Sequence, residues 1–327
     1  MLEEKLELLI ITYNRAAYLE RTLAQLLASP FAGCRLTVLD NCSTDETAQV
    51  CAQYRDKFAQ MRVVRHQKNI GACANYLRAV ELSSSAYTWV LCDDDLFDFS
   101  DCADVIAAVE AKQYDLISLG SPGQFAWERG LATTSNELMR RGARYFGVFT
   151  FLTGVIFRTK LYDSECVAKG YQNIANSFPH FPFIKKGADN DFTIYVSKQQ
   201  IVHRDHHESM PSGLYFHVVW VNSCRLIEDR KLRRKVLYQS ADTRWEWFRG
   251  LFLSIAVEKK HRPDKLWGEV LDLAKAYSAD QKFLLFLTLP AMIFPISGYK
   301  LVGQTLRALR GQPRVKIEES PFDPFRL

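Results

Sequence analysis

The sequence has no G-x-G-x-x-G after its first apolar run, which argues against a dinucleotide oxidoreductase. It has no G-x-x-x-x-G-K-[ST] either, which argues against a P-loop enzyme. Without a glycine cradle, any bound diphosphate must be held by metal and side chains. The eight cysteines include no C-x-x-C pair, so a paired-ligand zinc site is not expected and the thiols read as reduced. Glycine and proline are sparse, 16 and 11 of 327 residues, too few for a linker-rich chain. No apolar run reaches the roughly 18 residues of a membrane span. The nearest, Phe283 to Ile296, is broken by Thr288, Pro290 and Pro295. The acidic opening Met1-Leu2-Glu3-Glu4-Lys5 does not read as a signal peptide, so a cytosolic chain is expected.

What is present is a globular composition with uneven charge. Hydrophobic residues make up 48% and charged residues 24%, which excludes a disordered or collagen-like chain. The net charge is +5, but residues 225–327 carry 20 Lys/Arg against 12 Asp/Glu, a net of +8, and residues 1–224 carry −3. From Gln281 to Lys316 there is no acidic residue, while Lys282, Lys300, Arg307, Arg310, Arg314 and Lys316 flank or follow the apolar block. Apolar residues flanked by unbalanced cations fit an in-plane or re-entrant segment on an anionic membrane. A pair of core helices or an oligomer contact is the alternative, so oligomeric state stays open. No nucleic-acid-binding module is recognisable, and nucleic acid is not expected as a partner.

The first hundred residues alternate in an α/β rhythm. Apolar strand-like runs at Leu6–Ile11, Arg35–Leu39, Met61–Val64 and Tyr87–Cys92 are separated by helical patterns, the first with Leu19, Leu23, Leu26 and Leu27 on one face. Ser43 and Glu46 have capping-box spacing for the second helix. Later strands are expected near Leu116–Leu119, Thr153–Phe157 and Phe192–Val196, residues 120–150 read as irregular, and the chain is mostly helical from Tyr215. The pattern predicts a largely parallel sheet with helices on both faces. The expected units are 1–224, with halves at 1–98 and 99–224, and a helical basic region at 225–327.

In such a sheet ligands bind beyond the carboxyl ends of the strands. Standing there are Thr12-Tyr13-Asn14-Arg15, then Asp40-Asn41-Cys42-Ser43-Thr44-Asp45, then Lys68-Asn69-Ile70-Gly71 with Asn75, then Asp93-Asp94-Asp95. Three adjacent carboxylates need a counter-charge or raised pKa values. A divalent cation held by one or two of them and by phosphate oxygens would satisfy both needs. A solvated turn capping the next helix is the competing reading for the triplet. Asp40 suits a base or ribose contact, or an Asx turn opening the next helix.

These four ordered blocks, from Leu9-Ile10-Ile11-Thr12-Tyr13-Asn14-Arg15 to Asp93-Asp94-Asp95, resemble the family-2 glycosyltransferases, with the finer flavour of abequosyltransferase-like and other O-antigen or surface-polysaccharide sugar transferases. The resemblance covers about the first hundred residues. It implies a GT-A fold (Rossmann-like, mainly parallel), a nucleotide-diphospho-sugar donor, Mn²⁺ or Mg²⁺, and inversion at the anomeric carbon. It places Thr12, Tyr13, Asn14 and Arg15 in the nucleotide pocket, Asp40 on the base or ribose, Asn69, Gly71 and Asn75 at the donor's border, Asp93 and Asp94 near ribose and sugar, and Asp95 on the metal. The family's Glu-Asp pair on the acceptor-side helix is missing, since Ala175-Asn176-Ser177-Phe178-Pro179-His180 stands there. His180 is then the first candidate for the base that inversion requires, against a packed polar residue among phenylalanines. Asp191 and Asp189 come next, against a solvated turn, and His203, His206 and His207 read mainly as a basic loop.

The implied function is transfer of a sugar to a lipid-linked or polysaccharide acceptor, peripherally on the inner face of a cell membrane. Two rivals differ by a feature each. A sugar nucleotidylyltransferase needs a Gly-rich, Arg-containing loop after the first strand, and a membrane-docked adaptor would bind no nucleotide.

Overall fold

The computed structural model describes residues 1–120, 129–141, 145–203, 213–237, 244–261, 263–277 and 279–293. It divides into two compact units, Met1–His206 and His207–Leu327. The boundary lies ahead of the expected 224, because the helix Gly213–Cys224 packs on later helices.

In chain order the first unit comprises α1 (Leu2–Lys5), β1 (Leu6–Thr12), α2 (Ala16–Leu27), β2 (Arg35–Asp40), α3 (Thr47–Arg55), β3 (Met61–Arg65), α4 (Ala72–Leu82) and β4 (Tyr87–Cys92). There follow β5 (Leu96–Phe97), α5 (Ala103–Ala111), β6 (Leu116–Ser118), β7 (Ala132–Thr134), α6 (Ser135–Arg140), α7 (Tyr145–Phe149), β8 (Val155–Arg158), α8 (Ser164–Gln172), α9 (Phe181–Asp189), β9 (Thr193–Val196) and β10 (Val202–His203). Eight strands form one sheet in the order β3-β2-β1-β4-β8-β6-β9-β7. The pairs β3–β2, β2–β1, β1–β4 and β6–β9 are parallel, while β8 and β7 run against their neighbours. The expected mainly parallel sheet is therefore present. The stretch 120–150, expected to be irregular, holds β7, α6 and α7 among its described residues.

Strand parity explains why the sheet is covered on both faces. Leu6, Leu8 and Ile10 of β1 share one cluster with Leu19, Leu23 and Leu26 of α2, Leu36 and Val38 of β2, and Trp89 and Leu91 of β4. On β1 the alternate positions, such as Leu9, are buried on the other face, where α4 packs on β1 and β4. Right-handed crossovers produce this division, since α2 and α3 step the chain outward and α4 brings it back.

Sequence order reverses at β1, which has β2 on one side and β4 on the other. Ligands in open α/β sheets bind at such a switch point. The loops there are Tyr13–Arg15 and Asp93–Asp95. Directly beyond the triplet, β5 pairs with β10 and sets His203 opposite Leu96. His206 and His207 lie outside the described residues.

The second unit contains α10 (Gly213–Cys224), α11 (Arg230–Leu237), α12 (Arg244–His261), α13 (Pro263–Ala276) and α14 (Ala279–Thr288), with a 3₁₀ turn at Leu289–Met292. Its core includes Val219, Trp220, Ile255, Val270 and Leu273. The Trp220 indole donates to Leu237 O (3.2 Å), tying α10 to the end of α11. Within the apolar block, Leu285 is buried, whereas Phe286, Leu287 and Ile293 are exposed, as are Trp267 and Leu271 of α13. Among the described residues no helix is long and apolar enough to cross a membrane. The cations from Lys300 to Lys316 lie outside the described residues.

Leu23 is fully buried under α2. Leu23→Ala is expected to lower unfolding free energy by about 2–5 kcal/mol through lost burial and a residual cavity. Urea denaturation with unchanged m-value measures this, and a loss below about 1 kcal/mol would place Leu23 outside the core.

Candidate active site

The loops after β1 and β2 are stitched together by short polar side chains. Asn14 adopts φ 51, a left-handed conformation that Asn tolerates better than most residues. Its N–H donates to Ser43 Oγ (2.9 Å), and its Oδ1 accepts from the Thr44 N–H (2.7 Å). Ser43 is thereby diverted from the expected capping box. Asp45 takes over, accepting from the Thr47 hydroxyl (2.6 Å) and N–H (3.1 Å) of α3 and from the Ala16 N–H (2.9 Å) of α2. Partial burial works against its charge, but these bonds hold Asp45 below the usual carboxylate range.

Asp40 ends β2 opposite Thr12 and is buried. Its Oδ1 accepts from the Ser43 N–H (2.8 Å), and its Oδ2 pairs with Arg65 Nη1 (3.1 Å). Arg65 Nη2 also donates to Ser43 O (2.6 Å). Of the two readings of Asp40, the structure shows the turn: the carboxylate accepts from the Ser43 N–H while Arg65, half-exposed, leans over it. Beyond β3, Asn41 Nδ2 donates to Asn69 Oδ1 (2.9 Å), which also accepts from the Gly71 N–H (2.8 Å). The Ile70 N–H donates to Asn41 Oδ1 (2.9 Å). Gly71 has φ 86 and starts α4. That φ strains any residue with a Cβ. Asn75 is buried rather than lining the cleft, with its Nδ2 on Leu39 O (3.2 Å) and its Oδ1 on His66 Nε2 (2.9 Å).

The triplet sits across the switch point. Arg15, the N-cap of α2, reaches Asp94 Oδ2 (2.5 Å) and Asp93 Oδ1 (3.2 Å) through one guanidinium nitrogen. Arg21 Nη2 donates to the carbonyls of Asp94 (3.1 Å) and Asp95 (3.3 Å), and the Thr22 hydroxyl donates to Asp93 O (2.9 Å). Burial pushes the Asp93 carboxyl up to about 6, although Thr12 and Arg15 pull it down. Burial also opposes the charge on Arg15, but Asp94 and Asp93 more than offset it and raise its pKa. The structure thus supplies Arg15 as a counter-charge to the triplet from its own chain. A cation also fits, because Cys92 Sγ and carboxylate oxygens of Asp94 and Asp95 all lie within 4.8 Å of one another. Hard carboxylate oxygens suit Mn²⁺ or Mg²⁺. Tyr13 stands exposed at the rim.

The two base candidates do not join this group. His180 is the N-cap of α9 and is buried, edge-on against Tyr76 (5.6 Å between centroids) and Phe178 (6.1 Å). Burial pulls its pKa down to about 3, so it is a neutral packed imidazole, screened from an acceptor. Asp191 precedes β9, which runs parallel to β6 and, through the antiparallel β8, to β4. It therefore lies at the amino edge of the strands, opposite the triplet. There its Oδ1 accepts from the Asn136 N–H (2.9 Å) and holds the β7–α6 junction. Asp189, at the end of α9, pairs with Lys185 (2.7 Å). The residues that the reading from strand ends missed are Arg65 and His66, which β3 delivers one position later than expected, and Cys92, the last residue of β4.

A model of the glycosyl transferase family 2 matches residues 7–193. Two curated relatives match over shorter stretches. One is the glycosyltransferase MG060 homolog of Mycoplasma pneumoniae, 28% identical over 117 residues, 35% of this chain and 39% of the relative. The other is the succinoglycan biosynthesis protein ExoU of Rhizobium meliloti, 34% identical over 90 residues, 28% of this chain and 26% of the relative. The match thus spans well under half the length of either relative. Among solved structures, S. aureus TarS 1-349 in complex with UDP-GlcNAc aligns with TM-score 0.59 and 18% identity over 96% of this chain and 94% of that one. The mannosyltransferase PcManGT of Pyrobaculum calidifontis, in complex with GDP-Man and Mn²⁺, aligns with TM-score 0.53 and 11% identity over 94% and 88%. These likenesses confirm the GT-A-like fold.

The raised Asp93 carboxyl has a stability consequence. Asp93 protonates near 6 in the folded state and near 3.9 when unfolded, so the folded state binds more protons between these values. Stability then falls as pH rises from about 4 to about 6, by roughly 2–3 kcal/mol at 1.36 kcal/mol per pKa unit. Urea titrations across this range in chelator should show that slope in the wild type and its absence in Asp93→Asn. An unchanged slope would assign it to other groups.

Proposed function

The chain belongs to the glycosyl transferase family 2, and we propose that it moves a sugar from a nucleotide-diphospho-sugar to an acceptor hydroxyl with inversion at the anomeric carbon. The observation that carries this reading is the meeting of Thr12–Arg15, Asp40 and Asp93–Asp95 at one carboxyl edge, on both sides of the switch point. The nucleotide would lie over Thr12, Tyr13 and the Asp40–Arg65 pair, with the Asn41–Asn69–Gly71 bonds fixing the loop at its border. Asp95, with Asp94, would hold Mn²⁺ or Mg²⁺. Such an ion supplies charge for the departing diphosphate.

Arg15 keeps the carboxylates of Asp93 and Asp94 adjacent despite their mutual repulsion, and Arg21 fixes the backbone that aims Asp94 and Asp95. The diphosphate must compete with these anions for Arg15, so donor binding and release of the Arg15–Asp94 pair are linked. The base that accepts the acceptor's proton comes from neither His180 nor Asp191 in this reading, since one is packed away and the other is at the far edge.

A lipid-linked or polysaccharide acceptor is supported by the relative named for succinoglycan biosynthesis. It is supported also by the basic, partly apolar C-terminal region, whose exposed Trp267, Phe286 and Ile293 suit an anionic membrane surface. The working location is the inner face of a cell membrane, with peripheral attachment.

Calorimetry with UDP, GDP, CDP and dTDP in the presence of Mn²⁺ tests the reading. One of them should bind, and Asp95→Asn or chelator should abolish Mn²⁺-dependent donor hydrolysis. Activity surviving both unchanged would remove the metal, and binding of no nucleotide would remove the donor site. Asp191→Asn separates the base question cleanly, because Asn tolerates the left-handed φ 51 of that position. Turnover should stay within about twofold, whereas loss of a general base costs about 10²–10⁴-fold.

A further inference from the structure

We propose that Arg15 is an exchangeable counter-ion, held by Asp94 while the site is empty and passed to the donor's diphosphate when a divalent cation takes over that carboxylate. The inference rests on the metal and donor reading above and deepens it by naming the residue that couples the two ligands. Arg15 is fixed at its backbone and loose at its tip. Its carbonyl accepts from the Leu19 N–H (2.9 Å), the first bond of α2. Its neighbours are pinned as well, since the Asn14 N–H donates to Ser43 Oγ and the Ala16 N–H to Asp45 Oδ2, each at 2.9 Å. The side chain, by contrast, is 33% exposed and reaches Asp94 and Asp93 through Nη1 alone. Among the described residues its other two nitrogens hold no bond.

The triplet does not need Arg15 for its backbone. Arg21 Nη2 holds the carbonyls of Asp94 and Asp95, and the Thr22 hydroxyl holds that of Asp93. Arg15 touches only their side chains, so it can leave while the strand end stays in place. A divalent ion on Asp94 and Asp95 sets a second cation against the guanidinium at one carboxylate, and like charges so placed repel. Arg15 then has to find another anion. A diphosphate supplies oxygens that match the planar fork of a guanidinium through two parallel N–H bonds, a match that the ammonium of lysine lacks. Arg15 thus competes with the ion when nucleotide is absent and binds the donor once the ion is seated. Ion and donor reinforce each other's binding, and by linkage the factor is the same in both directions.

The test follows phenylglyoxal labelling of Arg15 in the full chain by peptide mass spectrometry, with Arg55, exposed at the end of α3, as the constant reference. Labelling should rise with Mg²⁺ alone and fall again when one of UDP, GDP, CDP and dTDP is added. In Asp94→Asn it should be high before any Mg²⁺ is present. A second measurement reads Mn²⁺ affinity from its resonance signal. Arg15→Gln should bind Mn²⁺ alone about threefold more tightly, the scale of one partly exposed ion pair. In saturating Mn²⁺ it should bind the nucleoside diphosphate about tenfold more weakly, the scale of a charge-assisted bond, and Arg15→Lys should not restore that loss. Circular dichroism confirms that both variants fold. Labelling that Mg²⁺ leaves unchanged although calorimetry shows it bound, weaker Mn²⁺ binding in Arg15→Gln, or full donor affinity in Arg15→Lys overturns the exchange and leaves the carboxylate site standing. Failure of every cation to bind overturns both.

Discussion

Bringing three consecutive carboxylates to the end of a buried strand is the constraint around which the first unit is arranged. Asp93 and Asp95 are almost wholly removed from water, and burial penalises their charged forms, to which Asp94 adds repulsion at Asp93. The chain answers with Arg15, placed at the start of α2 so that one nitrogen serves both Asp93 and Asp94. Arg21, one turn and a half further along the same helix, donates to the carbonyls of Asp94 and Asp95. A single helix thus carries both the charge and the backbone anchor, which is why the packing of Leu19, Leu23 and Leu26 matters to chemistry several ångströms away. Unfixing α2 would release the triplet.

The donor half was legible because it follows two rules that sequence displays directly. Apolar runs of strand length mark the sheet, and polar residues just beyond them mark its carboxyl edge. Asp40, Asn14 and the triplet emerge from those rules. What periodicity does not display is pairing. The Arg15–Asp94 contact spans 79 positions in sequence, and nothing local announces it. Ser43 has the spacing of a cap, yet the Asn14 N–H from the loop after β1 takes its hydroxyl, and Asp45, just before the N-cap Glu46, accepts from Thr47 instead. Such competition is decided only when the loops meet.

The acceptor half was less legible for a topological reason. Asp191 looks like an acid beside a strand, but its usefulness depends on which end of β9 faces the cleft, and only the order β8-β6-β9 settles that. His180 has the right place in the chain and the wrong surroundings, since Tyr76 from α4 closes over it. In the second unit, charge and hydropathy mark a helical, basic and partly apolar region, whereas how its helices pack is not displayed. Charge does not report that α10 packs on α12 and α13.

The bond between Asn75 and His66 has a directional consequence. Asn75 spends its amide hydrogen on Leu39 O, so the oxygen of that amide must face the imidazole. Only an N–H can meet it, which locks the ring proton onto Nε2 and leaves Nδ1 as a bare lone pair in the neutral state. The residue leaving β3 consequently offers a proton-accepting nitrogen on the side of α4, while Arg65, one position earlier, donates to Asp40 and Ser43. The two ends of that strand's polar tip are thus fixed by different neighbours, the guanidinium by β2 and its loop and the imidazole by α4.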